Sequence, residues 1–593
     1  MNTDNLKDNK EKQNSKAPTG IPEKNWISSL LSNKLTLGLI FLALSLISVI
    51  CFLNYNWIFG AQDIQFHLQR INELYQNVQN LNWFPFISTF NFNQNGSAVM
   101  SMYPKLPLYL YVIVRLLFQE PILSYYIAII VTTFSCLLIS YFSFLSIHRD
   151  QKVTAFLFSC AYSLSGLVIC NNFLCADLGV SFSLIFFPAA FAGIYHWLKN
   201  GKYRLLILGL SGILLSNILN FVFIILTFVC LTLMNFKLIN KQKVLNLLKS
   251  MLITGLLTSG FWLPAIKFGL GTKMNPPVLF QLNGINLFDY FQRALTNNIT
   301  YGFTLVPVLG IVFGAIGYLH INRYLKQIYW FSIALILISS SLFPWDIFQN
   351  TPLKIVQFPW RLLVIPQLLL TYIFAIEGTR WLSKIADTKI KNWVVSIVTV
   401  GIVALCINTQ LRTVDFQISS PEINYSLNTN NYLPSKNGVL WFKVTNNDEF
   451  NNLMGFIRNQ DYLPVNSNNV FPMYSTHWGM NNDNGQTILF TMNAVPDGSN
   501  LTFSLSTHAK KLTVPFLIYN KNYQITLDSK RYPLRYGKNR LLYINNLKPG
   551  NHMIQVSYHD SVTKYSYLVM TVLGMFLTFY NSNLFFKLKK RKK

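Results

Sequence analysis

Apolar runs of about 17 to 25 residues, each long enough to cross the hydrocarbon core of a bilayer, recur along most of this chain of 593 residues. In lipid every backbone N–H and C=O must be satisfied within the protein, so runs of this kind are confined to helices. Charged residues make up 12% of the chain, about half the share of a soluble domain. The sequence therefore predicts a polytopic α-helical membrane protein.

A formal net charge of +27 suits a nucleic-acid partner, but the placement of the charges rejects one. Lysines gather before the first apolar run (Lys7, Lys10, Lys12, Lys16, Lys24, Lys34), at Lys237, Lys241 and Lys243, and in the closing Lys587-Leu-Lys-Lys-Arg-Lys-Lys593. Short basic segments beside spans orient a membrane protein and touch anionic membrane lipid. Alternating them with the apolar runs gives about twelve spans with both termini cytoplasmic. These lie near 35–53, 122–147, 153–169, 179–198, a hairpin of two within 205–235, 250–268, 302–319, 328–343, 361–380, 392–408 and 565–585. No small-residue cleavage site follows the first run, which is expected to remain as an anchor. The seven cysteines are scattered, mostly within spans. Cys170 and Cys175 could pair at an outer edge, although two unpaired buried thiols are the reading their residue type favours.

Four regions are expected. Residues 1–34 form a basic, disordered cytoplasmic tail. Residues 35–408 form the membrane bundle, with a first outer loop at 54–121. Residues 409–563 form an extracytoplasmic β-rich, sandwich-like domain, and 564–593 hold the last span and a basic cytoplasmic tail. The third region is richer in Asn, Asp, Ser and Thr. It carries turn signals at Pro496-Asp-Gly498 and Lys548-Pro-Gly550, and alternating segments such as Tyr523-Gln-Ile-Thr-Leu527.

Within the first outer loop, Asp63, His67 and Arg70 follow i, i+4, i+7 spacing, which on a helix forms one narrow stripe. Ile64, Leu68, Ile71, Tyr75 and Val78 fall about 100° further round, predicting an amphipathic helix resting on the membrane surface. A carboxylate, an imidazole and a guanidinium at the lip of a bilayer suit a lipid-linked phosphate, although a solvated polar face is the plainer account of such a stripe. Other polar features fall on the same outer side. Asp177 starts the fourth span, where it also suits a helix cap. Arg361, in Gln357-Phe-Pro-Trp360-Arg361, also suits snorkelling to lipid phosphates. Trp83-Phe-Pro85 and Tyr103-Pro-Lys105-Leu-Pro107 read equally as an aromatic belt, and Phe261-Trp-Leu-Pro264 as a proline kink.

Asp63-x-x-x-His67-x-x-Arg70-Ile, then Trp83-Phe-Pro85, then Tyr103-Pro-x-Leu-Pro107 resembles the first outer loop of bacterial YfhO-type membrane proteins. Some of these carry the label 6-pyruvoyl-tetrahydropterin synthase-related. Phe261-Trp-Leu-Pro264, Gln357-Phe-Pro-Trp360-Arg361 and the strand-rich domain before a last span resemble later landmarks of the same proteins. Such proteins are similar to the GT-C glycosyltransferase superfamily. The resemblance implies a GT-C-like enzyme of the cell membrane with an extracytoplasmic active face. Its donor would be a sugar on undecaprenyl phosphate, and its acceptor a cell-wall polymer or a lipoteichoic-type glycolipid. By motif match the catalytic acid falls on Asp63, with Asp177 as the best-placed second carboxylate. His67, Arg70, Tyr103, Lys105, Gln357 and Arg361 would then bind substrate or lipid phosphate. No paired acid stands in the first loop, so a divalent metal stays open, and no other cofactor motif is seen. A transporter or flippase for a lipid-linked glycan, or a non-catalytic assembly protein, fits the same composition. The first predicts ionisable groups at the bilayer midplane.

Overall fold

The computed structural model describes residues 26–60, 63–275, 279–298, 302, 304–420, 442–455, 461–470, 473 and 475–590. It is mostly helical, with strands concentrated towards the C-terminus. Five helices are long and apolar enough to cross a membrane: Pro121–Ile147, Lys152–Leu174, Pro359–Ser383, Thr388–Ser419 and Ser561–Tyr580. Two bent pairs, Leu178–Leu184 with Phe187–Asn200 and Lys241–Leu257 with Ser259–Gly271, raise the number to seven. The expected twelve is not reached by this measure. The apolar helices Lys34–Ile47, Arg204–Leu214, Ile218–Met234 and Leu305–Ile316, at four of the expected spans, are too short. The 14 residues of Lys34–Ile47 rise only about 21 Å, against a hydrocarbon core of about 30 Å. The 205–235 region is nevertheless two helices, broken where the Asn217 side chain accepts from the backbone N–H of Asn220 at 2.9 Å.

Four expected boundaries or bends shift. Trp26–Ser32, assigned to the disordered tail, is a helix whose Ile27 and Leu31 are buried; residues 1–25 lie outside the described residues. The segment expected as the first outer loop contains, besides the expected helix at Ile64–Gln79, the apolar helix Leu106–Phe118. The bend in the 241–271 pair measures 71° and falls at Thr258, not at Pro264. There the Thr258 hydroxyl donates to Thr254 O at 2.8 Å, and Ser259 to Leu256 O at 2.7 Å. Finally, Thr388–Ser419 runs past the expected domain boundary at 409. Its polar end is held by the bundle: Gln410 Nε2 donates to Ile47 O at 2.8 Å and Gln417 Nε2 to Phe173 O at 2.7 Å.

The strand-rich region forms two antiparallel sheets. One orders β10 (Leu541–Leu547), β7 (Ala509–Leu517), β3 (Trp478–Asn481) and β4 (Thr487–Leu489). The other orders β5 (Thr491–Val495), β6 (Gly498–Leu505), β11 (Gly550–Tyr558), β8 (Tyr523–Leu527) and β9 (Lys530–Tyr532). They share one apolar core that includes Phe490, Leu501, Leu512, Phe516, Ile544 and Ile554, which is the packing expected of a sandwich. A separate two-stranded ribbon pairs β1 (Ile58–Gly60) with β2 (Phe442–Val444).

The sandwich is fastened to the segment that follows Ile64–Gln79. In the tight turn before β6, the Asp497 carboxylate accepts from Phe86 N at 2.7 Å, Ile87 N at 3.0 Å and Asn82 Nδ2 at 2.9 Å. Phe86, Ile87 and Ala98 complete its core. That segment is in turn tied to the helix Ile64–Gln79 by Glu73. That fully buried carboxylate accepts from Asn77 Nδ2 at 2.8 Å, Thr89 N at 3.0 Å, Ser88 Oγ at 2.7 Å, Phe90 N at 2.9 Å and Asn91 N at 2.7 Å. This helix is therefore not a surface amphipath. It is buried on almost every face by protein, because its polar residues find partners in the segments around it.

Candidate functional site

Three segments far apart in sequence meet at the start of Ile64–Gln79. The backbone N–H of Asp63 donates to Cys175 O at 3.2 Å, which joins the start of this helix to the turn that carries Asp177. One helical turn on, His67 Nε2 stands 3.5 Å from Asp177 Oδ1, and both side chains are largely withdrawn from solvent. Asp177 is also the helix cap expected for its position, accepting from Val180 N at 3.0 Å. Asp177 thus caps its helix and faces His67 with the same oxygen.

Burial alone would raise the Asp177 carboxyl. The His67 imidazole, the Val180 N–H and the charge of Arg361 outweigh it and hold the carboxyl below its ordinary 3.8. His67 Nδ1 is buried with no hydrogen-bond partner among the described residues.

Arg70, 1% exposed, closes the next turn of the stripe. Its Nη2 donates to Tyr103 O at 3.3 Å and Pro104 O at 2.7 Å, and the guanidinium lies 4.4 Å from the centre of the Tyr103 ring. Burial pushes Arg70 down to about 10, with Tyr103, Tyr462 and Asp177 opposing the fall. The guanidinium thereby fixes the Tyr103–Pro104 turn. The Tyr103 hydroxyl, raised by burial and by the nearby Asp177 charge, accepts from Asn217 Nδ2 at 3.5 Å. Gly179 makes room for it: a Cβ there would lie 3.0 Å from the hydroxyl, 3.3 Å from Asp177 Oδ1 and 2.9 Å from Ser216 O.

The third segment is Gln357–Arg361. Trp360 packs against Cys170, Leu174 and Cys175, which brings the loop over the Asp177 turn. Arg361 Nη1 donates to Gln357 Oε1 at 2.6 Å, and its guanidinium lies 5.1 Å from the centre of the Phe358 ring. It remains partly exposed, unlike Arg70.

Lys105 is turned elsewhere. Its ammonium donates to Pro85 O at 2.9 Å, and burial pushes it down to about 8 against the pull of Asp497. It belongs to the seam between the first loop and the sandwich. Gln69, on the same helix, is buried, and its Nε2 donates to Met454 O at 3.1 Å.

One residue that sequence reasoning missed faces the cluster from the far side of the chain. The ring centre of Tyr462 lies 6.3 Å from that of Tyr103, and burial raises its hydroxyl, with the charges of Asp63 and Asp177 acting the same way. Nothing in its local pattern marks it, because only the fold brings residue 462 to residue 103.

The arrangement supplies two carboxylates, an imidazole beside one of them, a partly exposed guanidinium and a wall of aromatic rings. Among the described residues, no group of three or more His, Cys, Asp or Glu is placed to hold a metal ion. No family model matches the chain, and neither does any curated protein or solved structure.

Proposed function

We propose that the chain is an integral-membrane glycosyltransferase of GT-C type, related to the YfhO-type proteins, acting at the extracytoplasmic face. Its donor is a sugar carried on a polyprenyl phosphate, and its acceptor a cell-wall polymer or glycolipid. The observation that supports this most is the convergence of three segments on the Asp63–His67–Asp177 corner, with Arg361 beside it.

In this reading an acceptor hydroxyl attacks the anomeric carbon and its proton passes to Asp63. The bond from that carbon to the phosphate oxygen breaks, and the polyprenyl phosphate leaves as an anion. Arg361, the more exposed guanidinium, meets that charge. His67 orients Asp177 and stabilises its carboxylate. Arg70 acts one step back, holding the Tyr103 wall in place. The sandwich, clamped to the first loop through Asp497, presents the acceptor.

The test is sugar transfer from a polyprenyl-phosphate donor by purified protein in nanodiscs. Asp63→Asn keeps the size of the side chain and the helix start but loses proton affinity, so turnover should fall by about 10²-fold or more with normal insertion. Arg70→Ala should also lower donor use. Wild-type turnover in Asp63→Asn would sink the enzymatic assignment of this corner. Comparing surface glycans of a deletion strain with wild type then identifies the sugar.

A further inference from the structure

The turn that links Asp63 to Asp177 contains two of the seven cysteines. Their sulfurs stand 3.6 Å apart, and both residues are buried, at 5% and 4% exposed. The backbone already closes this turn. Cys170–Leu174 forms one π-helical turn, and Cys175 N–H donates to Cys170 O at 2.9 Å. An i to i+5 bond of this kind holds the two Cα atoms within the few ångströms that a cystine spans, and small side-chain rotations would bring the sulfurs to the bonding distance of about 2.05 Å. Trp360 covers the pair.

We infer that Cys170 and Cys175 are a disulfide-forming redox pair that locks the turn carrying Asp177. The step is a thiol–disulfide exchange. A disulfide oxidant is attacked by one cysteine thiolate to give a mixed disulfide. The second cysteine then displaces it, so one Cys170–Cys175 bond forms and the oxidant leaves as two thiols. Two hydrogens are transferred, and the protein loses ~2 Da. Closure acts on both carboxylates. Asp63 hangs by its N–H from the carbonyl of Cys175, and Asp177 follows two residues later. That the pair meets an oxidising compartment rests on the extracytoplasmic placement proposed above; that the sulfurs bond at all does not.

The experiment therefore has two arms. Purified full-length protein is incubated with oxidised glutathione, quenched in acid, alkylated in denaturant and cut with chymotrypsin, which cleaves after Phe173 between the two cysteines. The expected result is that the two fragments stay joined until reductant is added, and that Cys170→Ser and Cys175→Ser each abolish the link. Alkylation of both cysteines in the glutathione-treated wild type would overturn the inference. The second arm traps thiols in intact cells before lysis. Joined fragments there support the pair and its compartment together. Free thiols in cells from a protein that closes in vitro keep the pair and count against the extracytoplasmic placement instead.

Discussion

The His67–Asp177 contact can be measured by a double-mutant cycle. Asp177→Asn keeps an oxygen to accept from Val180 N–H, and Asn caps a helix about as well as Asp. The start of the Leu178–Leu184 helix survives, and what is lost is the charge facing His67. At the observed 3.5 Å, a fully charged pair in an effective dielectric of about 20 attracts by about 5 kcal/mol. Both groups are buried, so desolvation offsets more than half of that, and a coupling of about 2 kcal/mol is expected between Asp177→Asn and His67→Gln. The four proteins would be compared by unfolding in detergent micelles at pH 6. The coupling should also fade in acid. The folded carboxyl lies below its ordinary 3.8, so its stabilisation is complete above that value and is lost as pH falls through the folded one. Single-mutant effects that add to within about 0.5 kcal/mol at pH 6 would show that the two side chains do not interact.

Two further outcomes follow from the packing and the charge pattern. Gln69→Ala should destabilise the protein by about 1–3 kcal/mol, because the carbonyls of Leu453 and Met454 lose their buried donor. Gln79→Ala, at the exposed end of the same helix, should cost far less; equal thermal shifts for the two would contradict the burial of Gln69. For topology, a cysteine placed at the exposed Asn484 should react with an impermeant maleimide in intact cells; labelling only after permeabilisation would reverse the outer placement of the sandwich.

The stripe Asp63, His67, Arg70 was legible because helical spacing is a local property, and Asp177 because a carboxylate before an apolar run marks a helix start. The strand-rich domain was legible from alternation and turn residues. What stayed hidden depends on contacts between distant segments. The same periodicity that revealed the stripe gave the wrong surroundings for it. Hydrophobic residues down one face of Ile64–Gln79 read as a membrane-surface helix, because nothing in the sequence announces that Met454, Asn91 and Pro104 supply partners for the other faces. Span lengths failed for a related reason. An apolar run sets only an upper limit on a helix, and the expected first span at 35–53 is broken after Ile47 into Lys34–Ile47 and Ile50–Leu53.

Buried polar groups explain why this helix, rather than any span, organises the segments packed around it. Gln69, Arg70, Asn72 and Glu73 lie within five residues and are all buried, an arrangement that neither lipid nor a plain apolar core would tolerate. Each is answered from a different direction. Gln69 is met by the chain after β2, and Arg70 by the Tyr103–Pro104 turn. Asn72 is met by Asn91 and Arg115, and Glu73 by the backbone of residues 89–91. Leaving any one of these groups unpaired costs on the order of 1–3 kcal/mol. A shift or rotation of the helix would break several of these bonds together, so its register is far more tightly set than apolar packing alone would make it. Asp63 and His67 sit at the N-terminal end of that fixed rod, and the Asp177 turn is hung on the same end through Cys175 O. The chain thus places this corner at the end of a helix whose register is fixed by buried polar bonds, the kind of support that a preorganised site requires.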